Sequence, residues 1–263
     1  PGIGKTALLE WMRRSAREEG VACLTARGGE LEAAHPFGVV RQLLERRVLL
    51  AEEADRDELL AGAAALARPV LGLGGEDAPD LPETFEGPAA PRRLHGLFWL
   101  AANIALKRPL ALLVDDAHWA DLPSLKWLAY LGTRARDVGI LVVLSARSPR
   151  HGPASDLLDS ITSGPEAGGG LLEPLGADAV AALVRDRLGD ADEGLCRACL
   201  DATGGNPFFV TELLAAGAAG TPASIRDAVL GRVARLSPES RRVVDVVAVL
   251  GSPAPAQVLH AVL

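Results

Sequence analysis

Cysteine, histidine and lysine are all scarce in this chain, and each scarcity removes a class of explanation. The three cysteines among 263 residues, Cys23, Cys196 and Cys199, cannot build a disulfide framework. Cys196-Arg-Ala-Cys199 has the spacing of a zinc or redox pair, but no second ligand pair stands at metal spacing. Leu195 and Leu200 place it in a helical apolar pattern, so two small core residues are expected. The five histidines are scattered without ligand spacing, which leaves no histidine metal centre. Lysine occurs only at Lys5, Lys107 and Lys126 against many arginines. With the Ala, Gly and Pro content, that is the codon bias of a GC-rich genome and says little about function. No apolar run reaches the ~18 residues a membrane span needs, although 49% of residues are apolar; a soluble, globular, cytoplasmic protein is expected. The net charge of −7 and the lack of a basic stripe argue against a nucleic-acid surface in these residues.

What the chain does have is Pro109 to Asp121, PLALLVDDAHWAD. Leu110 to Val114 is a continuous apolar run, which suits a central parallel strand covered on both faces. Asp115 and Asp116 then fall at its C-terminal edge, where open α/β sheets bind ligands. One carboxylate there can hold Mg²⁺ and the next can polarise an attacking water. The bland alternative is a strand ending in a solvated turn, since Asp is a common turn residue.

The start of the chain makes the first reading sharper. Pro1-Gly2-Ile3-Gly4-Lys5-Thr6, followed by Ala7, Leu8, Trp11 and Met12 at helical spacing, matches the second half of G-x-x-x-x-G-K-[ST]. The glycines let backbone N–H groups turn inward around phosphate oxygens. Lys5 would reach the β- and γ-phosphates, and Thr6 would give a hydroxyl to Mg²⁺. Gly2, Gly4, Lys5, Thr6 and Ala7 are therefore the candidate nucleotide contacts, with Thr6 and Asp115 as metal ligands and Asp116 as the catalytic carboxylate. Without an initiator Met, the first motif glycine or the strand before it, the chain is expected to be a piece of a longer protein.

In order along the chain, helices are expected over Lys5 to Glu19, from Phe37 onward, over Ala51 to Ala67, Arg92 to Leu106, Leu122 to Arg134 and near Ser155 to Ile161. Strands are expected at Val21 to Ala26, Leu110 to Val114, Ile140 to Ala146 and Leu171 to Leu175. Arg27 and Glu30 could line a nucleotide cleft or lie in a solvated loop. Pro69 to Pro91, rich in Gly, Pro and acidic residues, reads as a long mobile insertion. Arg147, at the same sheet edge as Asp115, is placed to sense a γ-phosphate. Beyond Leu175 the alternation stops. Asp178 to Leu188 and Asp192 to Ala202 read as helices, Asn206 and Pro207 cap and open a third, and Ser224 to Asp227 and Ser237-Pro238 are further helix starts.

With PGIGKT, ARGGELEAAHPFGVVRQLLE, LLVDDAHWAD, VVLSARS and TGGNPFFVTELL, the chain resembles the ATP-binding regulators of the large LuxR-type family, in the STAND class of P-loop ATPases with an AAA-like ATPase domain. The resemblance implies an α/β P-loop NTPase parallel sheet flanked by helices, its first strand missing, over 1–175. It also implies an all-helical lid over 176–235 and the start of a winged-helix region over 236–263. It implies an ATP/ADP switch with Mg²⁺, in which slow hydrolysis resets the state, Asn206 and Pro207 contact the base region, and Arg147 is the sensor. DNA binding would come only from a C-terminal helix-turn-helix outside these residues. Self-association on activation is a further implication, and no membrane partner is expected. Two other readings stand beside it: an AAA-type ATPase working as an oligomer, and a degenerate scaffold used for protein contacts.

Overall fold

Leu110–Asp115 forms β2, all six residues of which are buried. Its residues point alternately to two faces. Ala111 and Leu113 pack with Leu9 of α1 (Lys5–Glu18). Leu110, Leu112 and Val114 join a larger layer built from α2 (Gly38–Leu49), α4 (Ala90–Ala105) and α5 (Leu122–Gly132). Burial on both faces is why the run is continuously apolar. Each fully buried leucine in this layer contributes about 1.5–3 kcal/mol.

In the computed structural model of the chain, the described residues are 2–29, 35–73, 89–147, 153–164, 167–216, 230, 233–234 and 236–250. They divide into two compact units, Ile3–Leu171 and Leu172–Leu263, the latter with Gly2.

The first unit holds a three-stranded parallel sheet in the order β1-β2-β3, with β1 at Ala22–Arg27 and β3 at Ile140–Leu144. Ala22 pairs with Leu110 and Arg27 with Asp115; on the other side Leu110 pairs with Ile140 and Val114 with Leu144. The register brings the C-terminal ends of all three strands to one edge. α1 stops at Gly20, whose φ of 75° lets Val21 N–H return to Ala16 O at 2.8 Å.

Several expected boundaries change. Ala51 to Ala67 is not one helix but α3 (Glu53–Leu59) and a 3₁₀ helix (Gly62–Ala67). Gly62 turns left-handed at φ 60°, and Asn103 Nδ2 donates to Leu59 O at 3.0 Å, satisfying a carbonyl freed where α3 ends. The expected mobile insertion starts later than its composition suggests, because Val70 and Leu71 are buried in the core; residues 74–88 lie outside the described set. α4 begins at Ala90, with Pro91 in its first turn. β3 ends at Leu144 rather than Ala146. No strand forms at Leu171–Leu175; Leu175 N–H instead donates to Gly205 O at 2.8 Å. α6 (Pro153–Thr162) packs on α5 through the buried Leu158.

The second unit contains α7 (Ala177–Leu188), α8 (Glu193–Thr203) and α9 (Pro207–Ala216) around Val180, Val184, Cys196, Cys199 and Val210. Cys196 and Cys199 are free and buried, as the helical pattern implies. α10 (Pro238–Leu250) starts where Ser237 Oγ accepts Ser240 N–H at 3.2 Å. The helix start at Ser224 to Asp227 and residues 251–263 lie outside the described residues, so a winged-helix start is not shown. No helix among the described residues is long and apolar enough to cross a membrane.

Candidate functional site

Because Arg27 and Asp115 share a register position at the ends of adjacent strands, the sheet edge gathers charge of both signs. Asp115 is only 8% exposed. Thr6 Oγ1 donates to Asp115 Oδ2 at 2.6 Å across 109 residues. Ser145 Oγ donates to Asp115 Oδ1, which also accepts the Asp116 N–H at 3.0 Å. Burial alone would raise the Asp115 pKa. Hydrogen bonds from Ser145, Thr6 and the Asp116 N–H, with the charge of Arg27, outweigh it and hold the carboxyl below its usual range.

Asp116 stands in the left-handed region, φ 49° and ψ 42°, which Asp tolerates better than most residues. Its N–H also donates to Ser145 Oγ at 3.1 Å. Arg27 donates to Asp116 Oδ2 at 3.1 Å, and His118 Nδ1 lies 4.0 Å from Oδ1. Gly28 makes this turn possible, since a Cβ there would sit 2.4 Å from the Asp116 carbonyl oxygen. Both ring nitrogens of His118 are buried without a hydrogen-bond partner. Burial pushes the His118 pKa down; Asp116 opposes that, while Arg147 and Lys5 add to it. His118, Lys5 and Arg147 thus share one electrostatic neighbourhood with the two aspartates.

At the start of α1, Gly4 caps the helix in the left-handed conformation at φ 98°, with no side-chain cap and no acidic residue in the first turn. A 14-residue helix that begins this way presents free N–H groups and the positive end of its dipole to an anion. Lys5 is half-buried there, Thr6 and Ala7 are exposed, and Gly2 is also left-handed at φ 78°. A cleft of about 360 Å³ opens beside Thr6, Arg27 and Asp115, with Leu9, Arg13 and Gln42 also in its wall. No cluster of three or more His, Cys, Asp or Glu residues suited to a metal occurs among the described residues. One hydroxyl and one carboxylate instead match a cation that keeps most of its water and binds phosphate.

Arg147 is exposed just beyond β3. Asn206 and Pro207 lie in the second unit, where Asn206 Oδ1 accepts the Phe208 N–H at 3.1 Å and Pro207 opens α9. Glu30 falls outside the described residues.

This combination of a glycine turn opening a helix, a Thr–Asp pair and a parallel sheet bears directly on ancestry. A family described as AAA ATPase domain matches residues 1–143, more than half of the chain. The chain belongs to the AAA ATPase domain family. No curated protein and no solved structure matches it. Membership in the AAA ATPase domain family implies nucleotide binding, typically with Mg²⁺, and residues 1–143 contain Lys5, Thr6, Asp115 and Asp116.

The roles of Ser145 and Asp121 escape a reading of the motifs, and Arg27, a candidate for the cleft wall, gains a defined partner in Asp116. Ser145 follows the apolar β3 run one position past the Val114–Leu144 pair, so register alone would put it beside Asp115. Arg27 ends β1 in the same way. Asp121 has the D-x-x-S spacing of a helix cap with Ser124. Its carboxylate, 3% exposed, accepts N–H groups from Phe37 at 2.8 Å, Val39 at 3.3 Å and Ser124 at 2.9 Å, together with the Ser124 hydroxyl at 2.6 Å.

Proposed function

We propose that the chain is an ATP/ADP-binding signal-transduction switch of a LuxR-type regulator, with slow Mg²⁺-dependent hydrolysis resetting its state. The observation that supports it most is the Thr6–Asp115 hydrogen bond at 2.6 Å, which sets two hard oxygen donors face to face at the mouth of a helix N-terminus. Mg²⁺, when bound, would supply charge neutralisation on phosphate oxygens, with Thr6 and Asp115 as its protein ligands. The free N–H groups after Gly4 and the ammonium of Lys5 would hold the β- and γ-phosphates.

The ion pair between Arg27 and Asp116 supports slow turnover, because the guanidinium competes with an attacking water for the carboxylate oxygens. Arg147, Asn206 and Pro207 enter the proposal through the resemblance, as phosphate sensor and base contacts.

The test is single-turnover hydrolysis of radiolabelled ATP at several protein concentrations. A rate on the order of 10⁻³ s⁻¹ that is independent of protein concentration is expected of a switch without an external arginine. A rate that climbs steeply with concentration would overturn the switch reading in favour of an oligomeric AAA-type ATPase.

A further inference from the structure

We propose that the outer edge of β1 is a docking site for an acidic, extended segment of a partner protein, which adds to the sheet as a strand.

The edge has a defined open length. Arg27 N–H donates to Gln42 Oε1 at 2.9 Å, and Gln42 Nε2 donates to Arg27 O at 3.1 Å. The Gln42 side chain thereby occupies both backbone groups of Arg27, as a neighbouring strand would. Ala22 N–H, by contrast, points the other way and donates to Pro109 O next to β2. Alternation along the strand then aims the N–H and C=O groups of Cys23 and Thr25 at the same side as those of Arg27. Among the described residues these groups have no backbone partner. An exposed edge of this kind is a template for another chain unless something covers it.

Beside that edge is a cleft of about 540 Å³ whose walls carry Arg13 and Arg17 from α1, Arg46 and Arg47 from α2, and Cys23 and Thr25 from β1. α1 and α2 lie on opposite faces of the sheet, the first packing with Cys23 and the second with Leu24. A strand laid along β1 would project successive side chains to those two faces in turn. Both sets would therefore meet arginines, so acidic residues are favoured at successive positions rather than on one face only. Arg13 and Arg47 are partly engaged by Glu10 and Asp55. Arg17 and Arg46 make no ion pair among the described residues. The positive charge reaches the strand itself: burial pushes the Cys23 thiol up, and Arg17 and Arg13 oppose that shift.

Charge complementarity selects an anionic partner, and the open backbone groups select polypeptide over nucleic acid, because only a peptide returns both an N–H and a C=O at strand spacing. A run of acidic residues also repels itself into the extended form such pairing requires. Four arginines concentrated in one cleft of a chain with a net charge of −7 make this a local feature against the overall balance.

The probe is a fluorescein-labelled, end-capped hexapeptide of glutamate and valine, titrated with the 263-residue chain and followed by anisotropy. Binding is expected, and the double variant Arg17→Glu/Arg46→Glu should weaken it by about tenfold or more, since charge-assisted contacts become repulsive, while the melt falls by only a few degrees because each arginine stands in the last turn of its helix. A peptide N-methylated at every residue, with the same charge, has no N–H left on either edge and should bind the native chain about tenfold or more weakly. The proposal is overturned if the native chain does not bind the hexapeptide, if the N-methylated peptide binds equally well, if the double variant is unaffected, or if oligodeoxythymidylate of equal charge binds as tightly.

Discussion

Asp121 Oδ1 accepts the backbone N–H of Phe37 at 2.8 Å, 84 residues away in sequence. Phe37 is 1% exposed and held at φ 63°, a left-handed conformation that costs a bulky side chain of order 1–3 kcal/mol. Asp121 offsets that cost by satisfying the first N–H groups of α2 and those of α5 together.

Asp121→Ala would leave three buried N–H groups and the Ser124 hydroxyl without this acceptor. The expected loss of stability is about 2–4 kcal/mol, combining a lost cap with unsatisfied buried donors. For a domain of this size that is a fall of roughly 4–16 °C in melting temperature, read by calorimetry. A variant that melts within about 1 °C of the native chain would refute the role given to Asp121.

The Thr6–Asp115 pair predicts a loss confined to the metal-dependent part of binding. Thr6→Ala and Asp115→Asn should each reduce ATP affinity by about tenfold or more with Mg²⁺ present, the scale seen when a metal site loses a ligand or its support, and change it little in EDTA. Titration calorimetry under both conditions separates the two. Equal losses with and without Mg²⁺ would remove Thr6 and Asp115 as metal ligands.

Asp116 and Arg27 should move hydrolysis in opposite directions. Asp116→Asn is expected to keep ATP affinity and slow single-turnover hydrolysis. Arg27→Ala releases the carboxylate and should raise the rate by up to about fivefold, the kinetic equivalent of the roughly 1 kcal/mol an exposed ion pair is worth. A slower Arg27→Ala enzyme would show that the guanidinium acts on phosphate rather than on Asp116.

How far such a site can be read in advance depends on the range of the forces that build it. Lys5, Thr6, Asp115 and Asp116 are legible because backbone geometry ties glycine turns and strand-end carboxylates to short sequence spacings. The buried run at Leu110–Val114 declares itself by continuous apolarity for the same local reason. Asp121 is only half legible: its cap of Ser124 is written in three residues, whereas its hold on Phe37 requires α2 and α5 to meet. The Arg27–Asp116 pair likewise exists only because β1 and β2 align in register. The missing strand at Leu171–Leu175 shows the converse. Three leucines suggest a strand, but Glu173 and Pro174 are poor strand residues and Pro174 has no N–H for a ladder, and Leu175 finds its backbone partner in Gly205 rather than in a sheet edge.

His118 should make the nucleotide-free fold lose stability as pH drops below the ordinary imidazole range. Its ring is 14% exposed, both nitrogens are buried without partners, and the nearest carboxylate oxygen, Asp116 Oδ1, is 4.0 Å away, too far for a hydrogen bond. Burial, Arg147 and Lys5 all push its pKa below the ordinary 6.5, with Asp116 and Asp115 only partly compensating. The folded state therefore holds a neutral imidazole, whereas the unfolded chain takes up a proton as pH drops through 6.5. Stability from this residue is complete above that value and is lost as pH falls towards the depressed folded pKa. One proton corresponds to about 1.4 kcal/mol per pH unit, or about 3–6 °C in melting temperature for a domain of this size. Asp115 contributes with the same sign, but its window lies below its ordinary 3.8, so the two do not overlap between pH 5 and 6.5. His118→Leu removes the titrating group and two unpartnered nitrogens together. It should melt higher than the native chain at about pH 5 and show a flatter profile up to about pH 7, in scanning fluorimetry without nucleotide. Parallel profiles for the two proteins across that interval would mean that His118 is not the group that titrates.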